Sequence, residues 1–123
     1  MDRQGIIISI RNTAASVMPK GSRLILFGSQ ARGDARDGSD WDLLILLNRT
    51  ERIGNADFDR YAYPLVYLGW SLDVVINPIL YTEKEWHDRR ITPFYQNVEN
   101  EGILIWEWNE LSTMMADSVQ SLS

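Results

Sequence analysis

The sequence predicts an α+β domain in which a short mixed β-sheet is flanked by helices. Apolar residues three and four positions apart predict a first helix over residues 3–17. Two short and nearly continuous apolar runs, 23–27 and 41–47, predict strands that are covered on both faces. The second run shows no alternation, so we expect it in the interior of the sheet. Helices and strands therefore belong to one layered domain.

The middle of the chain predicts a loop, a helix and a third strand. Residues 34–39 contain no apolar side chain except one alanine and have two glycine-flanked acidic turns, which is typical of a loop. Aromatic and aliphatic residues over 57–68 follow a helical pattern. Pro64 lies inside that pattern and predicts a kink or an early end. Residues 71–77 predict a strand that Pro78 closes.

The last third predicts two short helices and a packed end. Thr82 and Glu85 form a capping-box pattern at the start of one helix. The second begins at Thr92 with proline at its first position and stops near Gly102. Residues 103–106 fit either a short strand or a packed tail. We expect residues 111–123 to fray, since they are rich in serine and poor in aromatic side chains.

Composition limits the classes of function. The chain has 123 residues, which we interpret as a single domain spanning 1–123. It has no cysteine, which excludes disulfides and thiolate metal sites within it. Its short N-terminal apolar run resembles neither a signal peptide nor a membrane span, so we expect a cytoplasmic protein without a membrane partner.

Charge argues against a long nucleic acid as the main partner. Lys and Arg number 12 against 17 Asp and Glu, giving a net charge of −5 with no basic run. Proteins hold nucleic acids mainly by neutralising phosphates with basic residues. An acidic protein that handles a nucleotide would need divalent cations as a bridge.

Two aspartates form the first candidate metal site. Asp40 and Asp42 lie two positions apart at the start of a predicted strand, so both carboxylates share a face with Cα atoms about 6.5–7 Å apart. Two hard carboxylates can share a divalent ion, and paired ions can clamp a phosphoryl transfer. An isolated Asp-x-Asp is more often a solvated strand end. Asp73, a lone charge in a predicted apolar strand, would complete a three-carboxylate site, although a strand-edge or ion-paired position would also explain it.

A glycine-serine pair directly after the first predicted strand is the second candidate. Gly28 lets a phosphate approach the backbone, and the Ser29 hydroxyl with the N–H groups of a helix start can hold phosphate oxygens. Arg32 is the nearest cation able to meet a phosphate in bidentate fashion. Such a pair alone usually marks only a turn. Its occurrence together with the three aspartates favours the functional interpretation.

These residues resemble a known signature. Residues 28–33 (Gly-Ser-Gln-Ala-Arg-Gly), a gap of five, and residues 39–43 (Ser-Asp-Trp-Asp-Leu) are similar to the motif of the minimal nucleotidyltransferases. That family belongs to the DNA polymerase β-like nucleotidyltransferase superfamily. The match covers every fixed position of the motif, and the wider resemblance spans about residues 5–108 through 72–75 and the C-terminal part.

The resemblance implies a nucleotidyltransferase fold and a reaction. A hydroxyl attacks the α-phosphate of a nucleoside triphosphate, with AMP from ATP as the expected group, and pyrophosphate leaves. Two Mg²⁺ ions are the implied cofactors. The implied catalytic residues and metal ligands are Asp40, Asp42 and Asp73, the last also activating the hydroxyl. The implied nucleotide contacts are Gly28 and Ser29 at the β- and γ-phosphates, supported by Arg32 and Ser39.

The short chain leaves little room for an acceptor site. The acceptor or its binding surface is therefore expected from a second copy of the chain or a protein partner. Small family members pair with helical HEPN proteins as toxin and antitoxin, and some add AMP to that partner. Two alternatives remain: an antitoxin that acts by contact alone, and a nucleotidyltransferase that modifies an antibiotic. The intact aspartates argue against an idle site.

Several other residues invite a functional interpretation that we consider weaker. His87, the only histidine, is expected to be exposed on a polar helix. Trp41 is expected to pack under the sheet because it alternates with the two aspartates. Arg36 could reach a phosphate, but offsetting the neighbouring acidic residues is the favoured role. The tyrosines of 57–68 fit either the core or a partner-binding surface.

Overall fold

A computed structural model describes residues 1–109 of the chain. Its strands are β1 (Arg23–Phe27), β2 (Trp41–Leu47), β3 (Ile76–Thr82) and β4 (Ile103–Glu107). Its α-helices are α1 (Arg3–Val17), α2 (Ser29–Arg32), α3 (Asn55–Asp57), α4 (Tyr63–Ser71), α5 (Glu83–His87) and α6 (Pro93–Glu101). The predicted bounds of α1, β1 and β2 are confirmed.

The strands form one mixed sheet in the order β3-β2-β1-β4. β1 pairs antiparallel with β2 and with β4, whereas β2 and β3 run parallel. The predicted class, a short mixed sheet flanked by helices, is confirmed. β2 lies in the interior of the sheet, as its unbroken apolar run indicated.

The alternating side chains of β2 divide between two cores. Leu43, Ile45 and Leu47 pack on the face covered by α1 and α4, with Trp41, which is 3% exposed. Leu44 and Leu46 pack on the opposite face, against Trp86 of α5 and Val98 of α6. A strand covered on both faces needs apolar residues at every position. Polar side chains at the start of β2 are therefore exceptions that call for another explanation.

The predicted helix over 57–68 is longer than expected and contains a π-helical turn. The turn spans Phe58–Ala62 and joins α3 to α4, and Pro64 is the second residue of α4. Proline lacks the N–H that an α-helix needs at an interior position, and a wider turn accommodates this loss. Pro64 therefore changes the helix locally without ending it.

The third strand was predicted in the wrong place. Residues 71–75 close helix α4, and β3 begins only at Ile76. Asp73 has a φ of 59°, and the N–H groups of Asp73 and Val74 donate to the carbonyls of Trp70 and Gly69 at 3.3 and 2.9 Å. This is a Schellman helix end, which places one residue in the left-handed conformation that Asp tolerates better than most.

The predicted caps in the last third are confirmed. Thr82 Oγ1 accepts from Glu85 N, and the Glu85 carboxylate accepts from Thr82 N. Thr92 caps α6, which ends at Gly102. Residues 103–107 form a strand, which decides between the two predicted alternatives. The tail over 111–123 lies outside the described residues. In the described part of the chain no helix is both long and apolar enough to cross a membrane.

Candidate active site

Asp40 and Asp42 flank the first residue of β2. Asp40 is exposed and Asp42 is half-buried, while Trp41 between them points into the core beneath α1 and α4. Because side chains alternate along a strand, Asp42 faces the opposite side of the sheet, above Leu44 and the helices α5 and α6. The sequence prediction that both carboxylates avoid the Trp41 face agrees with this geometry.

Asn77 joins the two carboxylates. It lies on β3 directly beside Asp42 in the parallel register. Its side-chain Nδ2 donates to Asp40 Oδ2 at 2.7 Å and to Asp42 Oδ1 at 3.5 Å. An amide nitrogen carries two N–H donors, so one group can serve both aspartates. No sequence pattern selected Asn77 as a functional residue, because the parallel register of β2 and β3 is not visible in the sequence.

Asp42 is electrostatically poised for a cation. Burial raises the pKa of the Asp42 carboxyl above its usual range, and the charge of Asp40 raises it further. The hydrogen bond from Asn77 and the charge of Arg32 oppose this shift of the pKa. A bound positive ion would stabilise the charged form of this carboxyl, which burial and a neighbouring carboxylate both disfavour.

Gly28 is packed against Asp42. Phe27, the last residue of β1, lies opposite Asp42, and Gly28 follows with φ 74° and ψ −158°. This backbone conformation is open almost only to glycine. A Cβ built on Gly28 would collide with Asp42 Oδ2. Glycine at position 28 therefore allows the backbone to lie directly against the Asp42 carboxylate.

The residues after Gly28 form the single-turn helix α2. Gly28 O accepts from the N–H groups of Ala31 and Arg32 at 3.0 Å, and Gly33 closes the turn in the left-handed region. The first N–H groups of a helix, here near Ser29, have no partner within it and can serve an anion. Ser29 thus lies where a phosphate contact was predicted.

Arg32 and Ser39 are engaged within the protein. Arg32 lies 3.3 Å from Asp34 and 3.5 Å from Glu101, two contacts between exposed side chains. Ser39 Oγ accepts from the backbone N–H of Arg36 at 2.8 Å, and Ser39 N donates to Arg36 O, which closes the loop before β2. Arg32 thus lies near Gly28 and can exchange its partners, whereas Ser39 has a role in shaping the loop.

Two open cavities lie near this edge of the sheet. One, of about 410 Å³, is lined by Phe27, Gly28, Arg32, Phe94, Asn97, Val98 and Glu101. The other, of about 650 Å³, includes Arg3, Ser39, Trp41, Trp70 and Asp73 in its lining. The smaller cavity shares Gly28 with the aspartate pair and has room for part of a nucleotide. The larger cavity lies on the Trp41 side.

Asp73 is not brought to the other two aspartates. It lies in the helix end before β3 and lines the larger cavity on the Trp41 side. Within residues 1–109, no three acidic, histidine or cysteine side chains come together in a group that could hold a metal ion. The strand placement that supported Asp73 as a third ligand is wrong, and that role stays a prediction.

The residues present nevertheless fit a magnesium ion. Asp40 and Asp42 offer only oxygen donors, on one edge, with Asn77 holding one oxygen of each. Mg²⁺ prefers oxygen and is usually bound through one or two carboxylates, with water and substrate phosphates completing its shell. The pair is sufficient for an ion that arrives with a nucleotide.

Comparison with known proteins supports the predicted family. The family model described as a nucleotidyltransferase domain matches residues 9–105. Two proteins of Methanocaldococcus jannaschii, each named "Putative protein adenylyltransferase", are 36% identical over 84 residues and 35% identical over 86 residues. Each alignment covers 68% of this chain, with 77% and 78% of the respective relative.

Solved structures share the fold. A toxin–antitoxin complex with AMP-PNP contains a chain that is 20% identical, with a TM-score of 0.57 over 94% of this chain and 85% of that one. The complex of a tri-AMPylated Shewanella oneidensis HEPN toxin with its MNT antitoxin gives 20% identity and a TM-score of 0.54 over 98% and 86%. At this identity the likeness concerns the fold.

Sequence motif, sheet topology and family model agree. The predicted resemblance to nucleotidyltransferases is confirmed. The chain belongs to the nucleotidyltransferase domain family, and transfer of a nucleotidyl group is its class of reaction.

Proposed function

We propose that this protein transfers AMP from ATP, with Mg²⁺, onto a hydroxyl group of a HEPN-type protein partner, as the antitoxin of a toxin–antitoxin pair. The observation that supports this best is the carboxylate pair Asp40 and Asp42, joined by Asn77, with Asp42 packed against Gly28. Names of the relatives favour adenylyl transfer to a protein. The toxin–antitoxin structures that share the fold favour the HEPN context.

The chemical step needs positioning and charge neutralisation. The acceptor oxygen forms a bond to the α-phosphorus, the bond from that phosphorus to the bridging oxygen of the β-phosphate breaks, and pyrophosphate leaves. The hydroxyl proton passes to solvent. When bound, Mg²⁺ ions would supply positive charge to the phosphate oxygens.

The residues of the chain hold the reactants in place for this step. Asp40 and Asp42 would hold the metal, with two ions expected when the nucleotide is present. Gly28 and Ser29 would contact the β- and γ-phosphates, and Arg32 would exchange Asp34 and Glu101 for phosphate oxygens. Ser39 would support the site by closing the loop before β2. We assign no step to Asp73, which lines the cavity on the Trp41 side and forms no three-carboxylate group with Asp40 and Asp42.

A stripe of exposed aromatic residues favours a protein as the acceptor. Tyr63, Tyr67 and Trp70 of α4 are 43%, 55% and 70% exposed. Their rings form a continuous series, with centroids 6.1 and 5.3 Å apart. Tyr61, by contrast, is buried. Of the two predicted alternatives, the core therefore applies to Tyr61 and an exposed surface applies to Tyr63 and Tyr67. Exposed aromatic groups are enriched at protein interfaces, and we assign this stripe to the HEPN-type partner.

The test is transfer of label from α-³²P-ATP to candidate HEPN-type proteins in the presence of Mg²⁺. We expect labelling by the wild type and none by Asp40→Asn/Asp42→Asn. Asp37→Asn, in the exposed loop before β2, is the matched control and should label fully. Labelling that survives the double substitution would refute the metal mechanism.

The same experiment addresses the alternatives. If the double variant neutralises the partner as well as the wild type does, and neither protein transfers label, the chain acts as a binding module. Transfer to an aminoglycoside without a protein partner would instead identify an antibiotic-modifying enzyme. If either activity required a dimer in solution, the missing acceptor surface would belong to a second copy of the chain.

A further inference from the structure

Asn77 occupies the place at this site where a third polar ligand would lie. It is exposed, it is the neighbour of Asp42 on the adjacent strand, and it contacts both aspartates. Its hydrogen bonds use Asp40 Oδ2 and Asp42 Oδ1. Asp42 Oδ2 is the oxygen on the Gly28 side. One oxygen of each carboxylate thus remains for a cation while the other is held in place.

The physical need for such a residue is clear. Two carboxylates at neighbouring positions on one edge repel each other, and half-burial of Asp42 weakens the screening by water. Without a cation, repulsion would drive their side chains into different rotamers. A neutral amide that donates to both lowers this repulsion without competing for the cation as a lysine or arginine would.

Asp73 is also exposed, but it does not lie beside Asp42 in the sheet. Residue 73 belongs to the hydrogen-bonded end of α4 and lies three positions before β3 begins. The parallel pairing starts with Trp41 beside Ile76, so the position beside Asp42 is residue 77. The register of β2 and β3 therefore determines which side chain lies beside Asp42. The distance along the sequence does not.

We propose that Asn77 is a positioning residue that holds Asp40 and Asp42 in the arrangement that binds a divalent cation. This inference rests on the proposed metal-dependent transfer. In this arrangement the protein contributes two negatively charged carboxylates and one neutral amide to the site. Removal of the amide should then weaken cation binding even though Asn77 itself carries no charge.

The test is a titration with Mn²⁺ followed by electron paramagnetic resonance, on the full chain, with and without the ATP analogue AMP-PNP. For Asn77→Ala we expect the Mn²⁺ Kd to rise about tenfold, the usual effect of losing a residue that orients a ligand. For Asn77→Asp, which adds a third carboxylate beside Asp42, we expect a Kd below that of the wild type. Asp37→Asn, in the exposed loop before β2, should leave the Kd unchanged.

Two results would overturn the inference: a Kd for Asn77→Ala within twofold of the wild type, or weaker binding by Asn77→Asp than by Asn77→Ala. Failure of the proposed function would look different, because then Asp42→Asn would bind Mn²⁺ as well as the wild type does. In transfer assays, Asn77→Ala should raise the Mg²⁺ concentration needed for half-maximal rate and recover its kcat at saturating Mg²⁺. A merely structural role would lower kcat at every Mg²⁺ concentration.

Discussion

Gly28 and Asp42 approach each other so closely that no side chain fits between them. The Cβ of any other residue at position 28 would overlap Asp42 Oδ2. Position 28 also has a backbone conformation that residues with a Cβ avoid. Glycine is thus required here for two independent reasons, one of which involves the Asp42 carboxylate directly.

We expect Gly28→Ala to abolish transfer and to destabilise the fold by about 1–3 kcal/mol, the usual cost of a strained backbone residue. The displaced Asp42 carboxylate would no longer hold the metal. Chemical denaturation and the label-transfer assay measure the two effects. Gly33→Ala is the matched control, since Gly33 also has a positive φ, 84°, but no atom within 4 Å of its added Cβ. If Gly33→Ala lost transfer to the same degree, backbone strain and not the approach to Asp42 would be the cause.

Arg32 is expected to bind the nucleotide phosphates in place of its present acidic partners. Arg32→Ala should raise the KM for ATP about tenfold, as expected for a lost charged hydrogen bond. Glu101→Gln should lower the KM about twofold, because it removes one competitor for the guanidinium at 3.5 Å. Steady-state kinetics measures both. Arg36→Ala, in the loop lining the larger cavity, is the control and should leave the KM unchanged. An effect of Arg36→Ala as large as that of Arg32→Ala would contradict the assignment.

Asp73 is expected to cost the protein stability. It combines a φ of 59° with a carboxylate at the C-terminal end of α4, where the helix dipole disfavours negative charge. Asp73→Gly should raise the free energy of unfolding by about 0.5–1 kcal/mol, whereas Asp73→Ala should lower it. Thermal denaturation decides the order of the three proteins. A destabilised Asp73→Gly would show that the aspartate makes a stabilising contact that the helix end alone does not require.

The pair Arg49 and Asp57 predicts a pH dependence of folding. Hydrogen bonding by Arg49, at 2.7 Å from Nη1 to Oδ1, lowers the pKa of Asp57 below its usual range. A lowered pKa in the folded state means that the pair stabilises the protein above the ordinary aspartate pKa and that this contribution is lost as the pH falls through the lowered value. Asp57→Asn should therefore destabilise by about 1–2 kcal/mol at pH 7 and have little effect in strong acid. Denaturation at several pH values tests this, with Asp59→Asn as an exposed control. An equal loss at all pH values would contradict it.

The aromatic stripe of α4 is expected to contribute to partner binding. Trp70→Glu should weaken binding of the HEPN-type partner at least about thirtyfold, as for a central interface residue, without changing the thermal stability of the isolated chain. Isothermal calorimetry measures the affinity. Ile91→Glu is the matched control, since Ile91 is 88% exposed but lies in the connection between α5 and α6. Equal weakening by both variants would indicate a general effect of added charge.

Local patterns in the sequence predicted most of the fold. The helix α1, the strands β1 and β2 and the caps at Thr82 and Thr92 all have short-range signals, which the structure confirms. The third strand was predicted over 71–77 instead of 76–82 because both segments are largely apolar. Proline at 78 suggested an end, although an edge strand tolerates proline.

The candidate site was predictable in part. Asp40, Asp42 and Gly28 follow from the motif and from alternation along one strand. Asn77 could not be selected, because its role depends on which residues of β2 and β3 lie side by side. Asp73 looked like a buried strand residue and is a helix end, a distinction that depends on backbone conformation rather than on polarity.

Pro78 also affects whether a strand from another molecule can add to the sheet. Trp41 N donates to Val75 O, so alternation directs the backbone groups of Asn77 and Ile79 toward β2 and those of Pro78 outward. The outer rim of β3 thus lacks a donor at its third residue, and an added strand from another molecule would leave a carbonyl unpaired there. The other outer strand, β4, is interrupted as well: its register shifts by one residue between Leu24 and Ile25 of β1, and Ile105 O accepts from Arg11 Nε at 2.7 Å. Both outer strands of the sheet thus disfavour the edge-to-edge addition of a strand from another molecule.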